Sequence, residues 1–354
     1  VSSIIMQVMQ TAYPQFKQEM KEGGEYARRQ MSKRTRLLSI GLSFVQGAGI
    51  FKMLVSAGAI SGNASTTLSM ITTILFWTAG SMFLLWLGEQ VNERGVGNGI
   101  SLLIFCGIII SFPWLVETIA IAVRNGSTSI FAVVLTAILF VSVIWFVVYF
   151  TIAQRRIPIQ HMRRQVGTKA LGGSSSYLPF SVNMVGVMPI IFAVSLVYMP
   201  YQFASMFGGE RTSFGSTLLA IGKFMAPDFT HWQGFIGAGI YMLLIFFFTY
   251  FYTAIQFNVD DIADNLKRGG SFIPGIRPGK QTKDFLDKVI SRITIVGAGF
   301  LSIVALIQYV IPLFMNVQRV NLVFGTSLLI MVSVALETMR QIEANLLMRQ
   351  YGQG

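Results

Sequence analysis

Apolar residues run along this 354-residue chain in long blocks that are separated by shorter polar connections. A bilayer core about 30 Å thick needs roughly 20 apolar residues in a helix that rises 1.5 Å per residue. Eight windows meet this length: Leu37–Ile60, Leu68–Leu87, Gly99–Val116, Ile130–Ala153, Phe180–Met206, Gly234–Phe257, Ile293–Met315 and Val320–Leu336. A further apolar fragment, Val1–Met9, is about half a span long. The pattern predicts an all-α polytopic membrane protein with eight full spans and part of one more.

The composition agrees with a membrane protein. Hydrophobic residues make up 53% of the chain and charged residues only 12%, about half the charge of a typical soluble domain. The lone cysteine, Cys106, excludes a disulfide within the chain, and the two histidines, His161 and His231, have no metal-ligand spacing around them. We therefore predict no metal site and no cofactor.

Lys and Arg are concentrated in alternate connections, which predicts the orientation of the chain. When successive connections are assigned to opposite sides, 22 of the 27 basic residues fall on one side. Cytoplasmic loops of membrane proteins carry such an excess. We expect the side that holds Arg28, Arg156, Arg277 and the C-terminus to be cytoplasmic. Much of the net charge of +12 is thus explained by topology.

No Asp or Glu lies in the middle of any predicted span. Glu337 lies at the cytoplasmic end of the last one. Ion-coupled transporters, proton relays and voltage sensors use ionisable groups inside the membrane, and intramembrane proteases need catalytic residues there. The pattern argues against these classes and predicts that the chain is not an enzyme. A small-solute transporter remains an alternative, with these polar candidates at mid-membrane: Gln46, Asn183, Gln256 and Gln308. Each is also explained by an interhelical hydrogen bond.

Two long connections on the basic side differ from simple loops. The first arm, residues 154–179, contains "QRRIPIQHMRRQVG" and has five basic residues but no acid. The second arm, residues 258–292, contains "RGGSFIPGIRPGKQTKDFLDK". The positive-inside rule explains each single arginine. It does not explain the length of the two arms, because connections between helices are usually short. We interpret the arms as docking sites for a large partner with RNA phosphates or an acidic surface.

The second arm carries local structural signals. Asp260, Asp261 and Asp264 precede Lys267 and Arg268, an order that favours a short helix aligned with its dipole and closed by the glycines at 269 and 270. The prolines at 274 and 278 are each followed by glycine. These two turn signals predict that Arg277 is presented at a tip.

Two other features have structural interpretations. Pro189, inside the fifth window, predicts a kinked helix, because an interior proline removes a backbone donor. The Gly-rich run Gly88–Ser101, "GEQVNERGVGNGIS", follows a membrane helix instead of a strand and lacks the spacing of a dinucleotide motif. We predict a tight polar turn between two spans.

Five motifs together resemble the SecY family of bacterial protein-translocation channel subunits. They occur in the family's order: "LWLGEQVNERGVGNGISLLIF", "QRRIPIQ", "NMVGVMPIIFA", "FNVDDIADNLKRGGSFIPGIRPGKQT" and "FGTSLLIMVSVALE". The resemblance covers essentially the whole chain. It implies a clamshell of two pseudo-symmetric helix halves around a pore, consistent with repeat-built membrane proteins.

The resemblance also implies a division of the chain. Residues 1–125 would form the N-terminal half, from the end of helix two to helix five, and residues 126–354 the C-terminal half, helices six to ten with both arms. The first helix and the plug helix of the family have no counterpart in this sequence. We expect the chain to be an N-terminally incomplete view of a longer protein.

The resemblance further implies roles for individual residues. The pore ring of aliphatic side chains would contain Ile100, Ile104, Ile191 and Ile330. Such a neck dewets and resists ion flow, yet closes around a moving peptide. The lateral gate would lie between Val1, Ser2 and Ser3 on one side and Ser195 and Met199 on the other. The cytoplasmic docking residues would be Arg155, Arg156, Arg277 and Lys280.

The implied function is a passive protein-conducting channel of the Sec translocase in the bacterial plasma membrane. Unfolded preproteins with signal peptides would cross it, and apolar segments would leave sideways into membrane lipids. The implied partners are SecE-like and SecG-like small membrane subunits, the motor ATPase SecA and the ribosome. A purely structural scaffold is a third class, and it would conduct nothing.

Overall fold

The structure is a computed structural model that describes the following residues: 5–6, 9, 24–56, 58–60, 67–126, 128–161, 165–166, 169–170, 175–206, 212–229, 232–310 and 325–351. Within these ranges lie ten helices: α1 (Gly24–Ser56), α2 (Thr67–Arg94), α3 (Gly99–Arg124), α4 (Ile130–Ile152), α5 (Met188–Met206), α6 (Ser213–Met225), α7 (Trp232–Gln256), α8 (Val259–Arg268), α9 (Lys280–Val310) and α10 (Thr326–Tyr351). Five strands accompany them: β1 (Gln154–His161), β2 (Gln165–Val166), β3 (Lys169–Ala170), β4 (Ser175–Ser181) and β5 (Ser271–Phe272).

The predicted polytopic fold class is confirmed. In the described ranges, six helices are long and apolar enough to cross a membrane, namely α1 to α4, α7 and α9, and the apolar stretch Met188–Ala204 of α5 is shorter. The predicted number of eight full spans and part of one more stays a prediction. The division into halves at residues 125 and 126 likewise stays a prediction.

The fifth predicted window was placed too early. Phe180 lies on β4 and its side chain is buried, and α5 begins only at Met188. The run before α5 is apolar because it packs inside the protein, which a hydropathy window does not distinguish from lipid. Pro189 consequently stands in the first turn of α5, where proline breaks no helical hydrogen bond, so the kink predicted there was wrong.

A small antiparallel sheet, which the sequence reading did not predict, joins the two arms. Its strand order is β4-β1-β5, with Ile157 opposite Leu178 and Gln160 opposite Phe272. β1 and β4 begin in the first arm, whereas β5 belongs to the second. Backbone pairing therefore makes one structure of two segments that are about a hundred residues apart in the chain. A separate pair, β2 and β3, extends the first arm.

One face of this sheet encloses a hydrophobic core that both arms share, called the arm core below. Side chains alternate along β1, so that Ile157 and Ile159 are buried while Arg156 and Pro158 are exposed, as a half-buried strand requires. Its buried members are Ile157, Phe180, Ile273, Leu286 and Ile290. Apolar residues of α8 pack against them. The arms are thus a folded body with its own interior.

The chain forms two compact units, and each has its own packing. The first unit comprises Val1–Gly107, Val194–Ala226 and Glu337–Gly354, and the second comprises Ile108–Ala193 and Pro227–Leu336. In the second unit α9 is the most enclosed span, with half of its most apolar window buried against 11% to 33% in the other five. The rings of Phe150 and Phe300 stack there with centroids 4.8 Å apart.

In the first unit α1 and α2 run antiparallel. The Arg36 guanidinium donates to both carboxylate oxygens of Glu89, with Nε–Oε1 at 3.0 Å and Nη2–Oε2 at 2.5 Å. Further along, a Cβ added at Gly47 would touch the side chain of Ile74 at 3.4 Å. Because Gly47 has no side chain, α1 and α2 can approach each other closely at this point, as is typical of membrane helices.

Replacing Leu286 by Ala should loosen the joined arms. Leu286 has no exposed surface and lies in the arm core, and truncating such a leucine costs about 2–5 kcal/mol. Amide hydrogen exchange of the detergent-solubilised protein should then show faster exchange in β1 and β5. Gln281→Ala, an exposed position on the same helix, is the matched control. Unchanged protection of both strands in Leu286→Ala would contradict the shared core.

Candidate functional site

The four predicted docking residues lie on one body of the second unit. This docking body consists of β1, β4, β5, α8, the turns at residues 273–279 and the first turns of α9, residues 280–290, around the arm core. Arg155, Arg156, Arg277 and Lys280 all belong to it, and all four side chains are exposed. The sequence placed them on two separate arms. The structure brings them together on one support.

Arg156 is oriented by an aromatic ring. It lies on the outward face of β1, and its guanidinium carbon is 4.8 Å from the centroid of the Tyr177 ring on β4. A cation over an aromatic face is held by about 0.5–1 kcal/mol at an exposed site. Arg155 is opposite the buried Phe180. The two arginines therefore lie on opposite faces of the strand, although they are adjacent in sequence.

The tip that carries Arg277 has a defined backbone, as the two Pro-Gly pairs predicted. The amide of Ile276 donates to the carbonyl of Ile273 at 3.0 Å, and Gly275 has φ +81°, the geometry of a type II turn with proline at its second position. On the other side, the Thr282 hydroxyl donates to the Arg277 carbonyl at 2.9 Å. Ile273 anchors the turn in the arm core.

The predicted short helix of the second arm is confirmed and is tied to α9. It is α8, with Asp260 and Asp261 in its first turn, Lys267 and Arg268 in its last, and the next two glycines at its end. Asp260 forms an ion pair of 2.5 Å with Lys283 of α9. Both partners are substantially exposed, so the pair adds little stability, but it fixes how α8 meets the start of α9 next to Lys280.

Ile100 and Ile104 of the predicted ring lie one turn apart on α3, within the first unit, and these residues are 44% and 42% exposed. The Gly-rich turn determines where Ile100 lies. The Asn98 side chain accepts a hydrogen bond from the Ser101 amide at 3.3 Å, and Asn92 accepts one from the Gly99 amide at 2.7 Å. The predicted tight turn is thus present, and it caps the start of α3.

Two glycines let α2 and α3 meet closely beside this turn. A Cβ on Gly99 would lie 2.0 Å from the carbonyl oxygen of Gly88, and a Cβ on Gly88 would lie 3.0 Å from Cγ1 of Ile100. The turn also packs against α10, because a Cβ on Gly97 would lie 3.1 Å from the Thr338 hydroxyl. The position of Ile100 therefore depends on backbone contacts that only glycine permits.

Ile191 and Ile330 belong to the second unit and are partly buried. Ile191 is in the first turn of α5, and Ile330 is in the first turns of α10. The start of α10 is attached to α9: the Thr326 hydroxyl donates to Oε1 of Gln308 at 3.2 Å, and Gly325, at φ +67°, lies against the same glutamine. Gln308 was interpreted either as a polar residue of a transporter or as a partner in an interhelical hydrogen bond. The structure contains that hydrogen bond.

The lateral-gate residues are only partly described. Ser195 and Met199 lie one turn apart on α5 in the first unit, the serine partly buried and the methionine exposed. Val1, Ser2 and Ser3 lie outside the described residues. In the same unit, a Cβ on Gly49 of α1 would lie 3.2 Å from the Gln202 carbonyl of α5.

The sequence reading missed the sheet and the aromatic partner of Arg156. The signal was present as alternation in "RRIPIQ", where Ile157 and Ile159 point one way and Arg156 and Pro158 the other. Tyr177 occurs in "SSYLPFS", which alternates in the same manner. The first run is short and basic, and it was interpreted by its charge alone. The second run is short and begins with serines, so it was interpreted as part of a connection.

A family model described as SecY matches residues 1–339 of the chain. Curated relatives named protein translocase subunit SecY include that of Mycobacterium tuberculosis (strain ATCC 25618 / H37Rv), which is 37% identical over 361 residues, covering 99% of this chain and 79% of the relative. The protein of the same name from Pseudomonas aeruginosa is 40% identical over 355 residues, covering 99% and 76%. That from Vibrio cholerae is 39% identical over 359 residues, covering 99% and 77%.

Two solved structures are similar in fold. One is described as "The structure of a protein conducting channel"; it has a TM-score of 0.69 and 22% identity, and the match covers 98% of this chain and 80% of that one. The other concerns the plug domain of a SecY protein and the closed state of its translocation channel, with a TM-score of 0.69 and 20% identity over 98% and 81%. The architecture is thus shared over nearly the whole chain.

Placing a side chain on Gly99 should disrupt the α2–α3 turn. In Gly99→Ala the new Cβ meets a backbone oxygen at 2.0 Å, so no rotamer change relieves the clash, and we expect a loss of at least about 1–3 kcal/mol. Gly107→Ala is the control on the same helix, because a Cβ there has nothing within 4 Å; it should be neutral or slightly stabilising. Thermal unfolding in detergent measures both. Equal melting temperatures would refute the close approach.

Proposed function

The chain belongs to the SecY family of protein translocase subunits, and we propose from this premise that it works as a passive channel whose energy comes from its partners. The observation that carries the function is a family match over residues 1–339 together with relatives 37–40% identical over 99% of the chain. The protein is a multi-pass membrane protein of the Sec translocase, and its role is that of the protein-conducting channel. None of the similar proteins supports a small-solute transporter.

In the proposed orientation the docking body faces the cytoplasm of a bacterial cell and the chain spans the plasma membrane. The excess of Lys and Arg on the side of the arms supports this arrangement. The channel needs no reaction chemistry of its own. Its proposed partners are SecE-like and SecG-like small membrane subunits, which would complete the assembly in the membrane.

The docking body is the proposed contact site for SecA and for the ribosome. Its cations are exposed, and the Arg277 tip and the Arg156–Tyr177 pair are held by surrounding structure. A preorganised cation loses little side-chain entropy when a partner binds. Guanidinium groups suit phosphate and carboxylate alike, because each presents a planar fork of donors. The same tips would therefore serve an RNA surface and an acidic protein surface.

The proposed pore ring consists of Ile100, Ile104, Ile191 and Ile330. Branched aliphatic side chains offer water no hydrogen bonds in a narrow passage, so an ion would have to lose its hydration shell to cross it. The rotamers of these side chains can adapt to a passing peptide. The proposed lateral gate uses Ser195 and Met199 on α5, with Val1, Ser2 and Ser3 opposite. An apolar segment would leave through it because transfer into lipid gains about 25 cal/mol per Å² of apolar surface.

Reversing the charge at Arg277 should slow SecA-driven translocation. Placing like charges opposite each other in an interface costs several kcal/mol, so Arg277→Glu should lower the rate by at least about tenfold. The measurement is import of a radiolabelled preprotein into vesicles that contain the full channel complex, SecA and ATP.

Lys288→Glu provides the control for this variant. It makes the same charge change on an exposed residue of α9 in the same docking body, away from the tip. We expect near-normal import from it. A normal rate for Arg277→Glu, or the same loss from both variants, would show that the tip is no specific contact.

Removing the aliphatic ring side chains should let ions through the resting channel. Replacing Ile100, Ile104 and Ile191 by Gly widens and hydrates the proposed neck, and steady conductance in planar bilayers should rise above that of the parent complex. The comparison variant carries Gly at Ile109 and Ile110, exposed residues of the same α3. Comparable leak from both, or none from either, would assign the ring to other residues.

A further inference from the structure

A short helix outside the proposed translocation machinery, α6, has three chemically distinct sides. Its sequence is "SFGSTLLAIGKFM". At 100° per residue the two glycines fall on one side, and the next side holds Phe214, Leu218, Ile221 and Met225. Ser216 and Lys223 lie opposite these apolar residues, and Phe224 lies between the apolar and polar sides. Gly215 and Gly222 are buried, whereas Phe214, Ile221 and Phe224 are exposed by 57%, 44% and 48%. A helix that packs only against its own protein normally exposes its polar side and buries its aromatic residues. In α6 the aromatic residues are exposed instead.

The glycine side fixes α6 against the preceding span. A Cβ on Gly222 would lie 3.0 Å from the ring of Tyr201, so the helix backbone rests directly on that ring. Tyr201 lies five residues before the end of α5, which corresponds to about 7.5 Å along the helix axis. The chain therefore folds back after α5, and α6 lies at the level of the last turns of that span. In a helix that spans a bilayer, the last turns lie where hydrocarbon gives way to headgroups.

Two hydroxyls of α6, one on the polar side and one near the apolar side, form hydrogen bonds within the helix. The Thr217 hydroxyl donates to the Ser213 carbonyl at 2.9 Å, and the Ser216 hydroxyl donates to the same carbonyl at 2.8 Å. Thr217 thus presents mainly its methyl group beside Phe214 and Ile221. Lys223, which is exposed, points from the polar side. The sequence of α6 contains no acidic residue.

We propose that α6 is an interfacial helix that lies in the bilayer surface, with its apolar side among acyl chains and Lys223 at the lipid phosphates. Amphipathic helices bind membranes through buried apolar area and attraction to anionic headgroups. One turn before Tyr201 on α5, Tyr198 is also exposed. Aromatic residues of this kind mark the membrane boundary. The occupant of this face is phospholipid.

Spin labels at matched positions test this placement. Cys106 is the only cysteine of the chain, so a Cys106→Ser background with cysteine-free partner subunits allows single labels on the complete complex in vesicles. Phe214→Cys and Ile221→Cys report the apolar side, and Ser216→Cys and Ala220→Cys report the polar side of the same helix. Electron paramagnetic resonance then measures collisions with oxygen, which concentrates in acyl chains, and with a water-soluble nickel chelate.

The expected result is that oxygen dominates at 214 and 221 and the nickel chelate dominates at 216 and 220. If the nickel chelate dominates at all four positions, α6 lies in water and the proposal is wrong. If neither reagent reaches 214 and 221, a protein subunit or a second copy of the chain covers this face, which also overturns it. Translocation activity does not enter this readout, so the outcome is independent of the docking and ring proposals.

Variants of Lys223 test the headgroup contact. In vesicles that contain phosphatidylglycerol, Lys223→Glu should lower the oxygen accessibility at 221, because a carboxylate is repelled by lipid phosphates, while Lys223→Arg should leave it unchanged. In vesicles of phosphatidylcholine alone the difference between the variants should shrink. Identical accessibility for all variants in anionic vesicles would refute the role of Lys223.

Discussion

Water outside the bilayer is what allows the two arms to fold into one body. Inside lipid, helices gain nothing by burying apolar side chains from hydrocarbon, so packing through small residues holds them together, as Gly47 and Gly49 do on α1. Beyond the membrane surface the hydrophobic effect returns. The arm core uses it: Ile157 and Phe180 from one arm pack with Ile273 from the other. The two arms thereby carry their cations on one folded support.

Local signals in the sequence predicted local structure well. The acidic start and basic end of α8, its closing glycines and the two Pro-Gly turns depend only on neighbours in the chain, and each was found. The sheet depends on a pairing between Gln160 and Phe272 that no local rule encodes. Phe180 was assigned to a span for the same reason. Its apolarity serves a core assembled from distant segments.

The assignment of the proposed ring residues rests on family resemblance, and physics explains why composition alone could not indicate them. Ile100 and Ile104 are exposed to nearly the same extent as Ile109 on the same helix, 44% and 42% against 43%. A pore and a lipid phase both leave an isoleucine without protein neighbours. The sequence did not indicate helix α6 for a different reason. At 13 residues it is too short for a span window, and its two glycines interrupt the apolar and polar periodicity by which an amphipathic helix is recognised.

Helix α9 gives the docking body a mechanical connection to the membrane part of the second unit. It is continuous from Lys280, beside the Arg277 tip, to Val310, a length of about 46 Å. Its first turns belong to the arm core through Leu286, and its middle is buried against the Phe150 ring. Near its end, Gln308 holds Thr326 at the start of α10, one turn before Ile330. Because every joint along this path is a packed or hydrogen-bonded contact, a partner that tilts the docking body must also displace the start of α10 or break one of these contacts.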